Sequence, residues 1–468
     1  MTSTMSSAVF EENRAKTKKA LPALLIVFTL GTLMIQAFNL VFQNIGNSLG
    51  MSSSASLLST LPGIILGVVC MLYGTLCDFI SPKHMTIFGV TALVVGSFVG
   101  FFGAFNFWLV LAARIVQVAG AQVAGSVFLV MTVKYLNDKE KAIYLGIYNG
   151  VYYLAATIGV FAGGFIASFD WKYLFLVPAL SVFFIPLLVK NTPDVSARGE
   201  RIDAVGITLF AVFAGLIAVY FSYPSMWLII AAVAAAIAFV LWILKARNPF
   251  LSRSFVTNGA YMSIVLLQFL FYFFNFACVP IYNVIGDSIY KIPLTTISLC
   301  LTLVYFVATV VGCVSGPIIN KIGRQRTMIT AAVLMIIGFA GSAIFIKAGF
   351  AVLTALACLF IAGVTIVYTP IYDAASDALP VEENGRGMGI LDLIMNTSAS
   401  IGMAVYSSLI ANPSMGNSGL FGVRPGIAAR TSNMFWIMCL ASIAALMAFL
   451  AFHKSFTARR TPSEGNAA

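Results

Sequence analysis

Charge is what this chain has least of. Only 9% of its 468 residues are Asp, Glu, Lys or Arg, against about 25% in an ordinary soluble domain. Two histidines, His84 and His453, leave a histidine-based catalytic centre little material. The seven cysteines lie in or beside apolar runs with no close pair at metal-ligand spacing. They read as small hydrophobes in helix packing rather than as a redox or metal site. A Gly-rich phosphate loop and a nucleophile–base set are both missing, which argues against an enzyme and leaves no cofactor to expect. A sizeable polar domain is missing too, which argues against a receptor.

What is present is apolar. The chain is 60% hydrophobic, with mean hydropathy +0.98. Apolar runs of some twenty residues recur along almost its whole length, each long enough to cross a ~30 Å hydrocarbon layer as a helix. A membrane barrel would show short alternating segments instead. The expected fold is an all-α polytopic membrane protein with about fourteen transmembrane helices. Basic residues set its orientation. If loops alternate between sides, only Lys172, Lys291, Lys347, Arg424 and Arg430 fall opposite the termini. Apart from Arg114, every other Lys and Arg falls on the side of the termini, which puts both ends in the cytoplasm of a cell membrane. The net charge of +11 is thus topological, and no nucleic-acid partner is expected because no basic stripe with interleaved aromatics lies outside the spans.

An internal repeat organises the runs. An offset of 242 residues carries "GTLCDFISPKHM" at Gly74 onto "GPIINKIGRQRT" at Gly316, Asp78 onto Asn320, and span one (20–43) onto span nine. The layout is a cytoplasmic tail (1–19), a six-helix bundle (20–190), two inserted helices (204–245), a second six-helix bundle (256–453) and a cytoplasmic tail (454–468). Repeats with a site between them are the usual build of secondary transporters.

Polar side chains inside the runs are the candidate site. Span one carries Gln36, Asn39 and Gln43 at helical spacing, and span nine carries Gln268, Tyr272, Asn275 and Tyr282. Span five offers Asn149, Tyr152 and Tyr153, and span thirteen Asp392, Asn396 and Ser400. Such stripes either line a wet cavity or hydrogen-bond helices together. Their recurrence in repeat-related helices points to the cavity. Arg114 is the one basic residue placed inside a span, where a paired or functional role contends with snorkelling to the interface.

These residues resemble the major facilitator superfamily, and most closely its fourteen-span drug:proton antiporter branch, which includes tetracycline and quaternary-ammonium exporters. Gly74, Leu76, Asp78 and Lys83 match its loop motif, and Gly316, Ile318, Gly323, Arg324 and Arg326 match the repeat of that motif. Arg114, Gln117, Ala119 and Gly120 look like its span-four motif, and Gly146, Ala155, Gly159, Gly163 and Gly164 like its span-five motif. The resemblance implies the major facilitator fold, a conformational latch at Asp78, Lys83, Arg324 and Arg326, and proton or charge coupling through Arg114. Three departures stand out. Phe79, Ser81 and Pro82 replace expected basic residues and glycine, Val160 replaces a proline, and Met34, Ile35 and Gln36 occupy the place of an expected acid. Asp392 is then the remaining proton site, unless it merely solvates a helix end like Asp373 and Asp377. The function implied is secondary active export of a small amphipathic compound by proton antiport, from a monomer, with Gln117 among the pathway residues. Import or facilitated passage of a specific metabolite or vitamin is the alternative that the missing acid suggests.

Overall fold

Fourteen helices in the computed structural model are long and apolar enough to cross a membrane. It describes residues 7–76, 80–136, 138–194, 203–246, 249, 253–379 and 384–457. Among these there is no strand. The spans are α1 (Ser7–Ser48), α2 (Leu57–Leu76), α3 (Pro82–Phe102), α4 (Phe107–Tyr135), α5 (Asp138–Ala167) and α6 (Trp171–Asn191). The inserted pair is α7 (Ala204–Ser222) and α8 (Met226–Lys245). There follow α9 (Gly259–Tyr290), α10 (Leu294–Ile319), α11 (Lys321–Ile344), α12 (Phe350–Ala378), α13 (Asn384–Ala411) and α14 (Ile427–Thr457).

Besides α6, which alternates 3-10 and α-helical turns from Trp171 to Asn191, two places depart from the uninterrupted helices that periodicity suggests. α9 is α-helical to Tyr272, tightens into a 3-10 turn over Asn275–Ala277, resumes from Cys278 and ends in a π-helical turn over Ile285–Tyr290. Pro280 explains the break, because it cannot donate to the carbonyl of Phe276 and its ring crowds that group. The neighbouring α13 is shaped to receive the irregular backbone. A Cβ on Gly402 would stand 1.4 Å from the Phe273 carbonyl oxygen, and the Ser398 hydroxyl donates to the Phe269 carbonyl. Asn275 therefore does not continue the helical face of Gln268 and Tyr272. The second departure joins α10 to α11, which run on without an open loop and turn at Gly323. There φ is +81° and ψ 161°, a region that only glycine enters freely.

The chain builds two halves that meet along three pairs. α2 packs along α13, α5 along α10, and α1 against the second segment of α9. Four hydrogen bonds cross between the halves among the described residues. Asn283 Nδ2 donates to the Leu40 carbonyl (2.6 Å) and to Asn44 Oδ1 (3.0 Å). Tyr305 Oη donates to Gln36 Oε1 (3.2 Å), and the Thr157 and Thr309 hydroxyls lie 3.1 Å apart. The Asn283 and Gln36 bonds lie toward the face where α1 ends, and the Thr157–Thr309 contact lies near mid-membrane. Among the described residues, no hydrogen bond joins the two halves near the termini. α7 lies over the α2–α13 seam, tied to the N-terminal half by Ser54–Tyr223 and Ser56–Ser222 contacts.

Candidate functional site

Tyrosines surround a carboxylate set inside the spans, on the side nearer the termini. Asp392 lies eight residues into α13, about 12 Å from its start. It is partly buried and accepts a hydrogen bond from Tyr372 Oη of α12. The carboxylate is within electrostatic reach of Cys70 on α2, Tyr148 and Tyr152 on α5, Tyr272 on α9, and Tyr368 on α12. The rings form a connected wall. Tyr368 stacks on Tyr372 at 4.1 Å, Phe28 on Tyr148 at 4.7 Å, and Tyr152 meets Tyr153 edge-on at 5.4 Å. Tyr152 is 40% exposed although it sits inside this wall, so it borders an internal space. Aromatic surface with hydroxyls at its edge and one acid suits an amphipathic ligand.

Several expected pathway residues join the site, and others turn out to hold helices together. Gln36 is partly exposed, and its amide oxygen receives Tyr305 across the halves. Asn39 is buried and accepts from the Ser59 hydroxyl, while its amide nitrogen reaches Gln36 at 3.5 Å. Tyr272 is buried on the chamber wall, and Tyr153 packs on Gly312 of α10. Asn396 spends its amide on the Asp392 carbonyl (2.9 Å) and sits against Gly67 in the α2–α13 seam. Gln268 is fully buried, with neither amide atom partnered among the described residues. Asn149 lies on α5, with its side chain outside the described residues. Tyr148, Tyr305, Tyr368 and Tyr372 were not anticipated. The repeated spacing of four, Tyr148–Tyr152 and Tyr368–Tyr372, was the available signal.

Arg114, on α4 of the N-terminal half, borders a separate small cleft whose far wall includes Phe276 of α9. It is 2% exposed, and Nη1 donates to Gln117, whose amide nitrogen reaches the Ser97 hydroxyl at 3.0 Å. The guanidinium carbon stands 3.9 Å from the Phe38 ring centre, a cation–π contact. It is not paired with Asp392.

At the face of the termini, Arg324 clamps α12. Its guanidinium grips Asp373 and lies 2.6 Å from Asp377 Oδ2, and Nη2 also donates to the Asp373 carbonyl at 3.3 Å. Arg326 is exposed. Asp78 lies outside the described residues. Lys83 stands 3.8 Å from Asp194 in the segment after α6. Hydrogen bonding from Ser81, with the His84 and Lys83 charges, holds the Asp194 carboxyl below the ordinary aspartate range. Ser81 and Pro82, which break the loop motif, make an N-cap and first turn for α3.

At the opposite face a polar vestibule of about 220 Å³ opens between the halves, lined by Gln43, Asn44, Asn47, Asn283, Asp287 and several serines. The Asn283–Asn44 contact forms part of its lining.

A sequence profile of the Major Facilitator Superfamily matches residues 24–204 and 264–467. The methylenomycin A resistance protein of Bacillus subtilis is 26% identical over 289 residues, 58% of this chain and 60% of that protein's length. The multidrug resistance protein Stp of Mycobacterium tuberculosis is 21% identical over 361 residues, 74% of this chain and 67% of its own. Among solved structures, a POT family transporter in complex with 5-aminolevulinic acid superposes with a TM-score of 0.69 at 13% identity, covering 94% of this chain and 96% of that one. A D-xylose-proton symporter gives 0.63 at 14% identity over 92% and 97%. These likenesses between structures concern the fold.

Proposed function

The chain belongs to the Major Facilitator Superfamily, and from that premise we propose that it exports a small amphipathic compound in exchange for protons. It is a transporter, not an enzyme, and a multi-pass membrane protein. The observation that carries the exchange reading is Asp392, a carboxylate walled by tyrosines in the chamber between the halves. A carboxylate there can hold a proton or face a ligand, so occupancy by one discourages the other. Export is favoured by the two resistance proteins among the relatives.

With both termini read as cytoplasmic, the Asn283 and Gln36 bonds that join the halves toward the far face support an inward-facing reading. The chamber takes substrate from the cytoplasm, the Asn283–Asn44 contact bars the exit, and rocking of the halves opens the vestibule while closing the chamber mouth. The Arg324–Asp373–Asp377 clamp belongs to that cytoplasmic closure, a charge cluster with two arrangements available to it.

Reconstitution into proteoliposomes with an amphipathic fluorescent dye separates the steps. Asp392→Asn is expected to abolish flux driven by a pH gradient and to retain dye exchange, since exchange requires only rocking. Wild-type flux that ignores the gradient would replace antiport with facilitated passage, the reading suggested by the absence of an acid at Met34, Ile35 and Gln36.

A further inference from the structure

Arg114 is charged at any physiological pH, and it lies seven residues into α4, within the span. Yet its neighbours do not balance that charge. Gln117 and the Phe38 ring are neutral, and the Nε donor is buried without an acceptor among the described residues. No carboxylate forms an ion pair with it among those residues. Removing a guanidinium from water without an anion is heavily unfavourable. A fold retains such a group at a cleft when its partner arrives from outside.

The cleft beside Arg114 has the matching chemistry. It is lined by Asn39 and Ser59 on one side and by Leu66, Val118 and Phe276 on the others. Its free volume of about 10 Å³ is the room of a single water. Ser59 donates to the side-chain oxygen Oδ1 of Asn39, and among the described residues Nδ2 has only its long contact to Gln36. An N–H donor is therefore left to offer beside the guanidinium fork. The remaining wall comes from the other half of the protein: Phe276 lies in the broken turn of α9 and packs on Gly63 of α2. In the proposed rocking cycle, Phe276 belongs to the half that moves relative to Arg114, so the cleft changes size.

We infer that Arg114 is the receptor for a carboxylate carried by an amphipathic, aromatic substrate, with Asn39 as the second donor and Phe38 and Phe276 against its apolar body. A planar fork matches a carboxylate through two parallel hydrogen bonds. The inference rests on the transporter reading and names its substrate class.

The test is equilibrium binding to the purified full-length protein in detergent, with no gradient present. The probes are a panel of aromatic carboxylates headed by 2-naphthoate, together with the neutral 2-naphthamide and the cationic 2-naphthylmethylammonium. Carboxylates are expected to bind and to raise the melting temperature, and the amide and ammonium compounds to do neither. Arg114→Met should fold at least as stably without ligand, because it removes an unpaired buried charge at similar volume, and should bind carboxylates about a hundredfold more weakly. Arg114→Lys keeps the charge but loses the fork, and should fall between them. If Arg114→Met does not fold, the comparison passes to Arg114→Lys, where a loss of about tenfold is expected for carboxylates alone. The inference is overturned if no carboxylate in the panel binds, if 2-naphthamide binds as well as 2-naphthoate, or if the variants bind carboxylates like the wild type. Absence of pH-driven flux would count against antiport and leave this result untouched. Loss of the carboxylate preference would leave proton-coupled export of other compounds standing.

Discussion

Gln268 is the costliest polar side chain on α9, fully buried with both amide atoms unpartnered among the described residues. Leaving such a group unsatisfied costs about 1–3 kcal/mol. Gln268→Leu is therefore expected to raise the thermal stability of the detergent-solubilised protein. It should slow transport if the amide finds its partner in another state of the cycle. A fall in melting temperature would show that Gln268 is already satisfied here. Arg324→Lys tests the clamp. One ammonium cannot hold Asp373, Asp377 and the Asp373 carbonyl in the guanidinium's fixed geometry. Since both acids are partly exposed, the stability loss should stay under about 1 kcal/mol, whereas transport should fall clearly at equal expression. Unchanged flux would remove the clamp from the mechanism. Arg114 and Asp392 were legible from the sequence because a charge inside an apolar run is conspicuous. Tyr305, Tyr368 and Tyr372 were not, because tyrosine is amphipathic and fits packing, interface and cavity equally well.

Helices in a bilayer must satisfy their own backbone, so an interrupted span persists only where neighbouring protein supports it. α13 supplies that support to α9. Gly402 admits the Phe273 carbonyl, and Ser398 hydrogen-bonds the Phe269 carbonyl. Gly402→Ala should displace the break, destabilising the protein by roughly 1–3 kcal/mol as an overpacked contact and impairing transport, while Gly389→Ala, whose Cβ would stand no closer than 3.7 Å to Met71, should do neither. Equal behaviour of the two variants would mean that the close approach is not needed. The break itself was only half legible. Pro280 is plain in the sequence, but many membrane helices bend at proline without unwinding, and the room and hydrogen bond that α13 offers the broken backbone come from a distant segment. Likewise the motif around Gly323 suggested an open loop, whereas a single residue at positive φ turns one helix into the next.

At the scale of the whole molecule, the seal between the halves predicts a switchable lock. In a cysteine-free background, Asn44→Cys combined with Asn283→Cys is expected to form a disulfide under oxidation, arrest transport, and release it again on reduction. Continued flux through the cross-linked protein would show that this contact does not open during the cycle. The number of spans and the duplicated halves were readable because hydrophobic length and a 242-residue offset are properties of the chain alone. Which end is closed depends on contacts hundreds of residues apart, such as Tyr305 with Gln36, and no local pattern announces it. One asymmetry has its own outcome. The two long seams between the halves are not equivalent: α7 packs over the α2–α13 seam, and among the described residues no inserted helix packs over the α5–α10 seam to a like extent. A greasy molecule dissolved in the leaflet meets a wall on one flank and a joint on the other, so any sideways entrance to the chamber has a single address.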